Sequence, residues 1–151
     1  MATYCINLPL PPAECSVNSN AGWRDKATKR KQYRTLCAIL YQDYKNKGIL
    51  PAKFQTPIKI SLEFWYARSG QQFTTHYNRK GEIVRKAVFC FATDELNAAG
   101  SFKSGQDALQ DAGMILSDSH KYVCNGETRI RSGDNNKEKK IGLVMTIEEV
   151  N

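Results

Sequence analysis

The alternation of side chains along residues 58–66 is the strongest constraint on the fold of this chain. Every second residue there is large and apolar, and the residues between them are mixed in character: Ile58, Ile60, Leu62, Phe64 and Tyr66 fall on one side, and Lys59, Ser61, Glu63 and Trp65 on the other. Because successive side chains of a β-strand point to opposite faces of its sheet, this period of two predicts a half-buried strand. The chain therefore contains a sheet with one face in the core.

The preceding segment has the period of a helix instead. Along residues 25–47 the apolar side chains recur at spacings of three and four, which is typical of one buried helix face: Tyr33, Leu36, Cys37, Leu40, Tyr41 and Tyr44. Gly48 suits the C-terminal cap of this helix, and Pro51 prevents its continuation.

The remaining patterns predict a second helix over residues 97–112, which ends at Gly113 and has four residues facing inward: Ala98, Phe102, Leu109 and Ala112. Further strands are predicted over residues 4–10, 73–77, 82–92, 122–131 and 140–148. The predicted order is β-α-β-β-β-α-β-β. It indicates a single α+β domain with a mixed or mostly antiparallel sheet and two main helices.

Size and cysteine content exclude several classes of protein. A chain of 151 residues can bury a core without disulfide or metal support. Its five cysteines are scattered without a Cys-x-x-Cys pair, which argues against a disulfide framework and a zinc site. No apolar run approaches the roughly 18 residues that span a bilayer, and residues 1–10 lack the basic start of a secretory signal. We therefore expect a cytoplasmic protein without a membrane segment.

An excess of basic residues favours a polyanionic partner. The chain has 22 Lys and Arg residues against 15 Asp and Glu residues, which gives a net charge of +7. Such an excess attracts nucleic acid through electrostatic steering and counterion release. Charge alone leaves nucleic acid and other partners equally open.

Polar residues are densest around the second predicted helix. Asp94 and Glu95 end the preceding predicted strand, and Asn97 is placed to cap the helix. Lys103 and Asp107 are four residues apart and therefore share one helix face. The alternative interpretation of this group is a capped helix with an ordinary surface ion pair.

Carboxylates from separate elements would suit a hard cation such as Mg²⁺, which prefers oxygen ligands. Asp118 lies past the helix stop, where the chain can turn back toward Asp94. In phosphodiester cleavage a metal activates water and stabilises the charge on the phosphate, and a lysine such as Lys103 can assist.

Matches at the start, in the middle and at the end of the chain carry a resemblance to a known family. Residues 94–103 (DELNAAGSFK) are followed by DAL at 107–109, AG at 112–113 and SDSHKYV at 117–123. The chain opens with INLPLPP at 6–12 and closes with a strand-like segment at 143–149. These stretches resemble, in the same order, the pattern of the RusA family of Holliday junction resolvases. That pattern begins with an opening strand that has a Pro-rich exit. It continues with a D-x-D-N-L core, a Lys, D-[AG]-L, a Gly and D-D-x-x-V, and it closes with a last strand.

The resemblance implies a homodimer that binds four-way DNA junctions and cleaves them with Mg²⁺, with Mn²⁺ as the alternative ion. By position, Asp94 takes the place of the first aspartate and Asp118 that of a late aspartate, so these two are the implied metal ligands. Lys103 matches the family's lysine, and Asp107 matches the acidic residue inside the helix. These four residues form the implied catalytic set, and a phage or prophage origin in a bacterial cell would suit such an enzyme.

The sequence departs from the family pattern at two motif positions. Leu96 stands where the family has its second aspartate, and Ser117 stands where it has the first of the late pair. A shift of register by two or three residues would lose Asp94 as a ligand and keep Lys103. In either register the site is short of carboxylate. Residues 68–92 are also longer than the corresponding segment of the family, which predicts an additional hairpin.

Two basic groups are candidate DNA contacts, because cations hold phosphates and exposed aromatics can stack on bases. The first lies at the start of the first predicted helix: Trp23, Arg24, Lys26, Lys29, Arg30, Lys31 and Arg34. The second lies around the predicted hairpin: Arg79, Lys80, Arg85 and Lys86. A solvated surface is the alternative interpretation of each group.

Three functional hypotheses follow. The first is a Mg²⁺-dependent, structure-specific endonuclease that resolves Holliday junctions in DNA recombination and repair. The second is a junction-binding protein on the same scaffold, with catalysis impaired by Leu96. The third is an inhibitor or interaction protein that uses the fold against a protein partner.

Overall fold

Six strands and three helices make up the part of the chain that the structure describes. A computed structural model describes residues 2–16, 20–66, 72–88, 95–117, 119–132, 136–138 and 140–150, and for 72–76 and 85–88 it describes the backbone. The elements are β1 (Thr3–Leu8), α1 (Trp23–Asn46), β2 (Ile58–Trp65), β3 (Gln72–Tyr77), β4 (Ile83–Val88), α2 (Glu95–Ser101), α3 (Lys103–Asp111), β5 (Val123–Arg131) and β6 (Gly142–Glu149). A short 3₁₀ turn, Ala13–Cys15, precedes α1. The predicted α+β class is confirmed.

The main sheet is mixed and has four strands in the order β1-β6-β2-β5. β6 pairs antiparallel with β1 and β2, and β2 pairs parallel with β5. β3 and β4 pair antiparallel in a separate two-stranded sheet, here called the ribbon. The sequence therefore predicted the six strands, although residues 89–92 of the strand predicted over 82–92 lie outside the described residues, while the order of the strands in the sheet comes from the structure.

One face of the main sheet forms the core. The alternation that predicted β2 is observed as strict burial of every second residue along Ile58–Trp65. The register pairs Ile60 with Ile147 and Phe64 with Leu143, which places these buried side chains on the same face. Side chains of α1 and α3 complete the cluster: Tyr33, Cys37, Tyr41, Ala108 and Leu109. The result is one small domain with helices over one face of a sheet.

The single helix predicted over residues 97–112 was wrong, because the structure has two helices with a break at Phe102. The Phe102 side chain is buried, and its ring meets that of Tyr33 edge to face, with 6.3 Å between centroids. A Cβ on Gly105 would lie 2.2 Å from the Phe102 ring, so the ring occupies the space that the glycine leaves. Burial of this ring accompanies the departure of the backbone from helical geometry (φ −90°, ψ 1°).

Two smaller predictions also need correction. Glu95 is the first residue of α2 and does not end a strand, so Asn97 lies inside the helix and cannot cap it. Leu36 was predicted on the buried face of α1 but is 42% exposed. The two helix stops are confirmed, since Gly48 and Gly113 both adopt positive φ angles, of 75° and 73°. Among the described residues, no helix has the length and apolar character to cross a membrane.

Candidate functional site

A cavity of about 500 Å³ opens between the N-terminal half of α1 and the α2–α3 pair. Four cationic side chains and one carboxylate lie among the residues that line it: Cys15, Arg30, Lys31, Arg34, Gly100, Ser101, Lys103, Ser104 and Asp107. Part of the predicted DNA-binding group on α1 and two of the predicted catalytic residues thus meet in one place. Its charge favours an anion.

The helix period explains which residues of α1 face the cavity. Trp23, Lys26, Arg30 and Arg34 recur at spacings of three and four and therefore lie along one stripe of α1. Trp23 is 73% exposed at the start of this stripe, and the Arg24 guanidinium lies over its ring, 5.2 Å from the centroid. An exposed aromatic side chain therefore stands at the end of a basic stripe that leads into the cavity.

Arg34 is held by α3. Its Nε and Nη2 atoms donate to the two carboxylate oxygens of Asp111, at 2.5 and 2.8 Å, and its Nη1 atom lies 3.9 Å from Asp107. The hydrogen bond from Arg34 lowers the pKa of the Asp111 carboxyl. Arg34 therefore fixes α1 against α3, and we expect it to position the cavity more than to bind a ligand.

Arg30 and Lys31 have a different environment from Arg34. Both are exposed, and neither forms an ion pair with any residue that the structure describes. Burial raises the pKa of the Cys15 thiol, and the nearby positive charges of Arg30 and Lys29 oppose that rise. The Arg30 guanidinium and the Lys31 ammonium group are thus the cavity cations that an incoming anion would meet.

The α3 side of the cavity carries Lys103 and Asp107. The Lys103 Nζ atom donates to the Asp107 carboxylate at 2.9 Å. The spacing of four residues predicted this shared face, and the structure confirms it. Asp107 therefore lies between two cations, Lys103 and Arg34, which neutralise its charge at the cavity wall.

The described lining of the cavity does not fit Mg²⁺. Its only carboxylate is that of Asp107, which is already bonded to cations, and no group of three metal-binding side chains occurs among the described residues. The positions of α2 that face the cavity are Gly100 and Ser101, which offer no charged oxygen. Asp94 and Asp118, the two implied metal ligands, lie outside the described residues.

Sequence reasoning missed the small residues of the cavity. Ser101 and Ser104 are buried polar residues, and the Ser101 hydroxyl donates to the Ala98 carbonyl at 2.7 Å. Gly100, Ser104 and Asp107 are separated by four and three residues. This spacing is typical of one helix face, so it could have predicted that the three residues line the same surface. Cys15 carries no such signal, since it reaches the cavity from the 3₁₀ turn before α1.

The second predicted DNA-binding group lies on the ribbon. Arg79 and Lys80 are exposed in the turn between β3 and β4. Arg85 and Lys86 lie on β4, opposite Thr75 and Thr74, and their side chains lie outside the description. The cavity lining does not include any of these four residues.

Comparison with known proteins adds no relative. No family model matches the sequence, and no curated protein matches it at a significant level. The resemblance of residues 94–123 to the RusA core therefore stays a prediction from the sequence. What the structure adds is the position of Lys103 and Asp107 beside the basic stripe of α1.

Proposed function

We propose that this protein binds branched DNA on a RusA-like scaffold, with a backbone phosphate held in the basic cavity. The observation that carries the proposal is the convergence of Arg30 and Lys31 from α1 with Lys103 from α3 around one cavity. Cations that converge from separate elements can surround a phosphate, whereas a solvated helix face spreads its charges outward.

The whole charge distribution supports a polyanion as the ligand. The net charge is +7, and two of the four cations that line the cavity, Arg30 and Lys31, form no ion pair with a described residue. Exposed Trp23, at the start of the basic stripe of α1, adds an aromatic surface that suits a base that is not fully stacked. A homodimer would present two such cavities related by a two-fold axis, which matches the symmetry of a four-way junction.

Cleavage of the junction is the second candidate function. It is favoured by the position of Lys103, the residue that matches the family's lysine, at the wall of the same cavity. Metal-dependent cleavage would need carboxylates from Asp94 and Asp118, because Asp107 is neutralised by Arg34 and Lys103. Binding is therefore the better-supported function, and cleavage depends on those two aspartates.

The first test is binding of a labelled four-way junction in EDTA across a series of salt concentrations. We expect affinity to fall steeply with salt, because bound cations release counterions from the DNA. Changing Arg30→Ala together with Lys31→Ala should lower the slope of log K against log salt by about two, since each lost phosphate contact removes roughly 0.9.

The matched control removes the same charge elsewhere. Lys53 and Lys137 are exposed and do not line the cavity, so Lys53→Ala with Lys137→Ala should leave the salt slope nearly unchanged. Equal losses in both double variants would mean that net charge, and not the cavity, governs binding. Failure of the wild-type protein to bind at low salt would overturn the DNA proposal and favour a protein partner.

The second test separates binding from cleavage. The junction is incubated with Mg²⁺ or Mn²⁺ and with either wild-type protein or the Asp118→Asn variant. Paired cuts that disappear in the variant would establish a resolvase. Tight binding without cuts in either metal would establish a junction-binding protein.

A further inference from the structure

We infer that the tip of the ribbon is an apolar wedge that contacts bases at the branch point of DNA. This inference rests on the proposed function and extends it, because the cavity accounts for phosphate binding and leaves the ribbon without a role. The wedge consists of Tyr77 and Ile83, which flank the turn between β3 and β4.

The turn at the tip has a defined geometry. The Asn78 side-chain oxygen accepts from the backbone N–H groups of Lys80 and Glu82, at 3.0 and 2.9 Å, and the Asn78 N–H donates to the Glu82 carbonyl at 2.9 Å. Gly81 adopts a φ of +79°, a conformation that side-chain-bearing residues rarely take. These contacts close the turn and fix the ends of the two strands that carry Tyr77 and Ile83.

Two large apolar side chains are exposed directly beside this turn. Tyr77 and Ile83 are paired across the ribbon, so they share one face, and they are 75% and 67% exposed. Val84, the next residue of β4, lies on the opposite face of the ribbon and is 43% exposed. Exposed apolar side chains that cluster on one element indicate a binding surface more often than isolated ones do.

The charge around the wedge selects nucleic acid as its partner. Arg79 and Lys80 are exposed in the turn itself, and Arg85 and Lys86 follow on β4, while Glu82 is the one acidic residue between Tyr77 and Val88. An apolar protein surface would have to bury these cations, whereas a phosphate backbone on either side of the wedge would pair with them. A two-stranded ribbon also has the width that a DNA groove admits.

The chemistry of the two side chains suits a branch point. Apolar side chains enter DNA by separating neighbouring base pairs, and that cost is lowest where stacking is already interrupted. A tyrosine ring recovers part of the cost because every base has a face on which it can stack. The wedge therefore adds discrimination between a junction and an uninterrupted duplex, which the phosphate contacts of the cavity do not provide.

The test uses a four-way junction with 2-aminopurine beside the exchange point and a duplex of the same sequence. Fluorescence of 2-aminopurine reports base unstacking, and a titration gives the two affinities. We expect wild-type protein to change the junction signal. Tyr77→Ala with Ile83→Ala should abolish that change and weaken junction binding by about fivefold or more, as expected for the loss of base stacking, with unchanged duplex affinity.

Two control variants sharpen the result. Tyr77→Phe keeps the ring and should retain the fluorescence change. Ile141 is 68% exposed and lies outside the ribbon, so Ile141→Ala removes a comparable apolar surface and should leave junction binding as in the wild type.

Each adverse outcome has a distinct meaning. Junction binding by wild-type protein that is unaffected by the Tyr77 and Ile83 substitutions would overturn the wedge and leave the cavity proposal standing. No binding of either DNA by wild-type protein would overturn both. A lower mass in sedimentation for the double variant, with DNA binding retained, would overturn the wedge by showing that the tip is an interface between protein molecules.

Discussion

Gly105 and Phe102 form a contact that tolerates no added atom. A Cβ on Gly105 would lie 2.2 Å from the Phe102 ring, and the ring is buried. Gly105→Ala should therefore destabilise the protein by about 1–2 kcal/mol, since overpacking costs 1–3 kcal/mol and alanine recovers up to 1 kcal/mol of helix propensity. Unfolding in denaturant measures the change.

The companion variant tests the cause. In a Phe102→Leu background the ring is absent, so adding Gly105→Ala should cost less than it does in the wild type. An equal cost in both backgrounds would show that the destabilisation does not come from the ring.

The cysteines differ in exposure and should differ in reactivity. Cys5 and Cys124 are exposed, whereas Cys15 and Cys37 are buried. Burial raises the pKa of the Cys37 thiol to about 12, so little reactive thiolate forms at pH 8. A brief treatment with iodoacetamide at pH 8, read by peptide mass spectrometry, should label Cys5 and Cys124 well before the other two. Equal rates for these four would contradict the burial of Cys15 and Cys37.

At the scale of elements, side chains spread along α1 hold it against α3. Arg34 binds Asp111 through two hydrogen bonds, and the Lys45 Nζ atom donates to the Ala112 carbonyl at 2.8 Å. Between them the Tyr41 hydroxyl donates to the buried Gly105 carbonyl at 2.8 Å. This pairing sets the width of the cavity, so disturbing it should affect ligand binding as well as stability.

The ion pair between Arg34 and Asp111 should make stability depend on pH. Because Arg34 lowers the folded-state pKa of Asp111 below 3.8, its stabilisation is fully present above that pH and is lost as pH falls through the folded pKa. Both side chains are about two-fifths exposed, so solvent screening limits the contribution to about 1 kcal/mol or less.

Asp111→Asn should accordingly lower the free energy of unfolding at pH 7, and the difference from wild type should shrink below pH 4. Denaturant unfolding at pH 7, 4 and 2.5 measures it. Asp43→Asn is a suitable control, since Asp43 pairs with Lys47 within α1 and does not reach α3. A difference for Asp111→Asn that stays undiminished from pH 7 to pH 2.5 would exclude the ion pair as its source.

The elements themselves were largely predictable, and the exceptions have a common origin. The period of two predicted β2 and the period of three and four predicted α1, because both periods are local properties of the chain. The break at Phe102 was missed because it depends on a ring packing against Tyr33 and Gly105. Leu36 was misplaced because the packing partners of α1, and not its own spacing, decide which side is covered.

At the scale of the whole molecule, the position of each strand in the sheets should set its rate of hydrogen exchange. β6 and β2 have partners on both sides, β1 and β5 are edges, and β3 and β4 pair with each other in a separate sheet. We expect the slowest amide exchange in β6 and β2 and the fastest in the ribbon, since small units open at low free energy. Ribbon amides as protected as those of β6 would contradict this order.

The sequence by itself determined the α+β class, the order of the strands along the chain, the helix stops at Gly48 and Gly113 and the pairing of Lys103 with Asp107. These features depend on spacing along the chain and on the conformations of single residues. Only the tertiary structure decided that Arg30 and Lys31 meet Lys103 around one cavity, that Arg34 is held by Asp111, and that the ribbon presents Tyr77 and Ile83. These contacts depend on how helices and strands that are distant in sequence pack together, and no local sequence pattern encodes that packing.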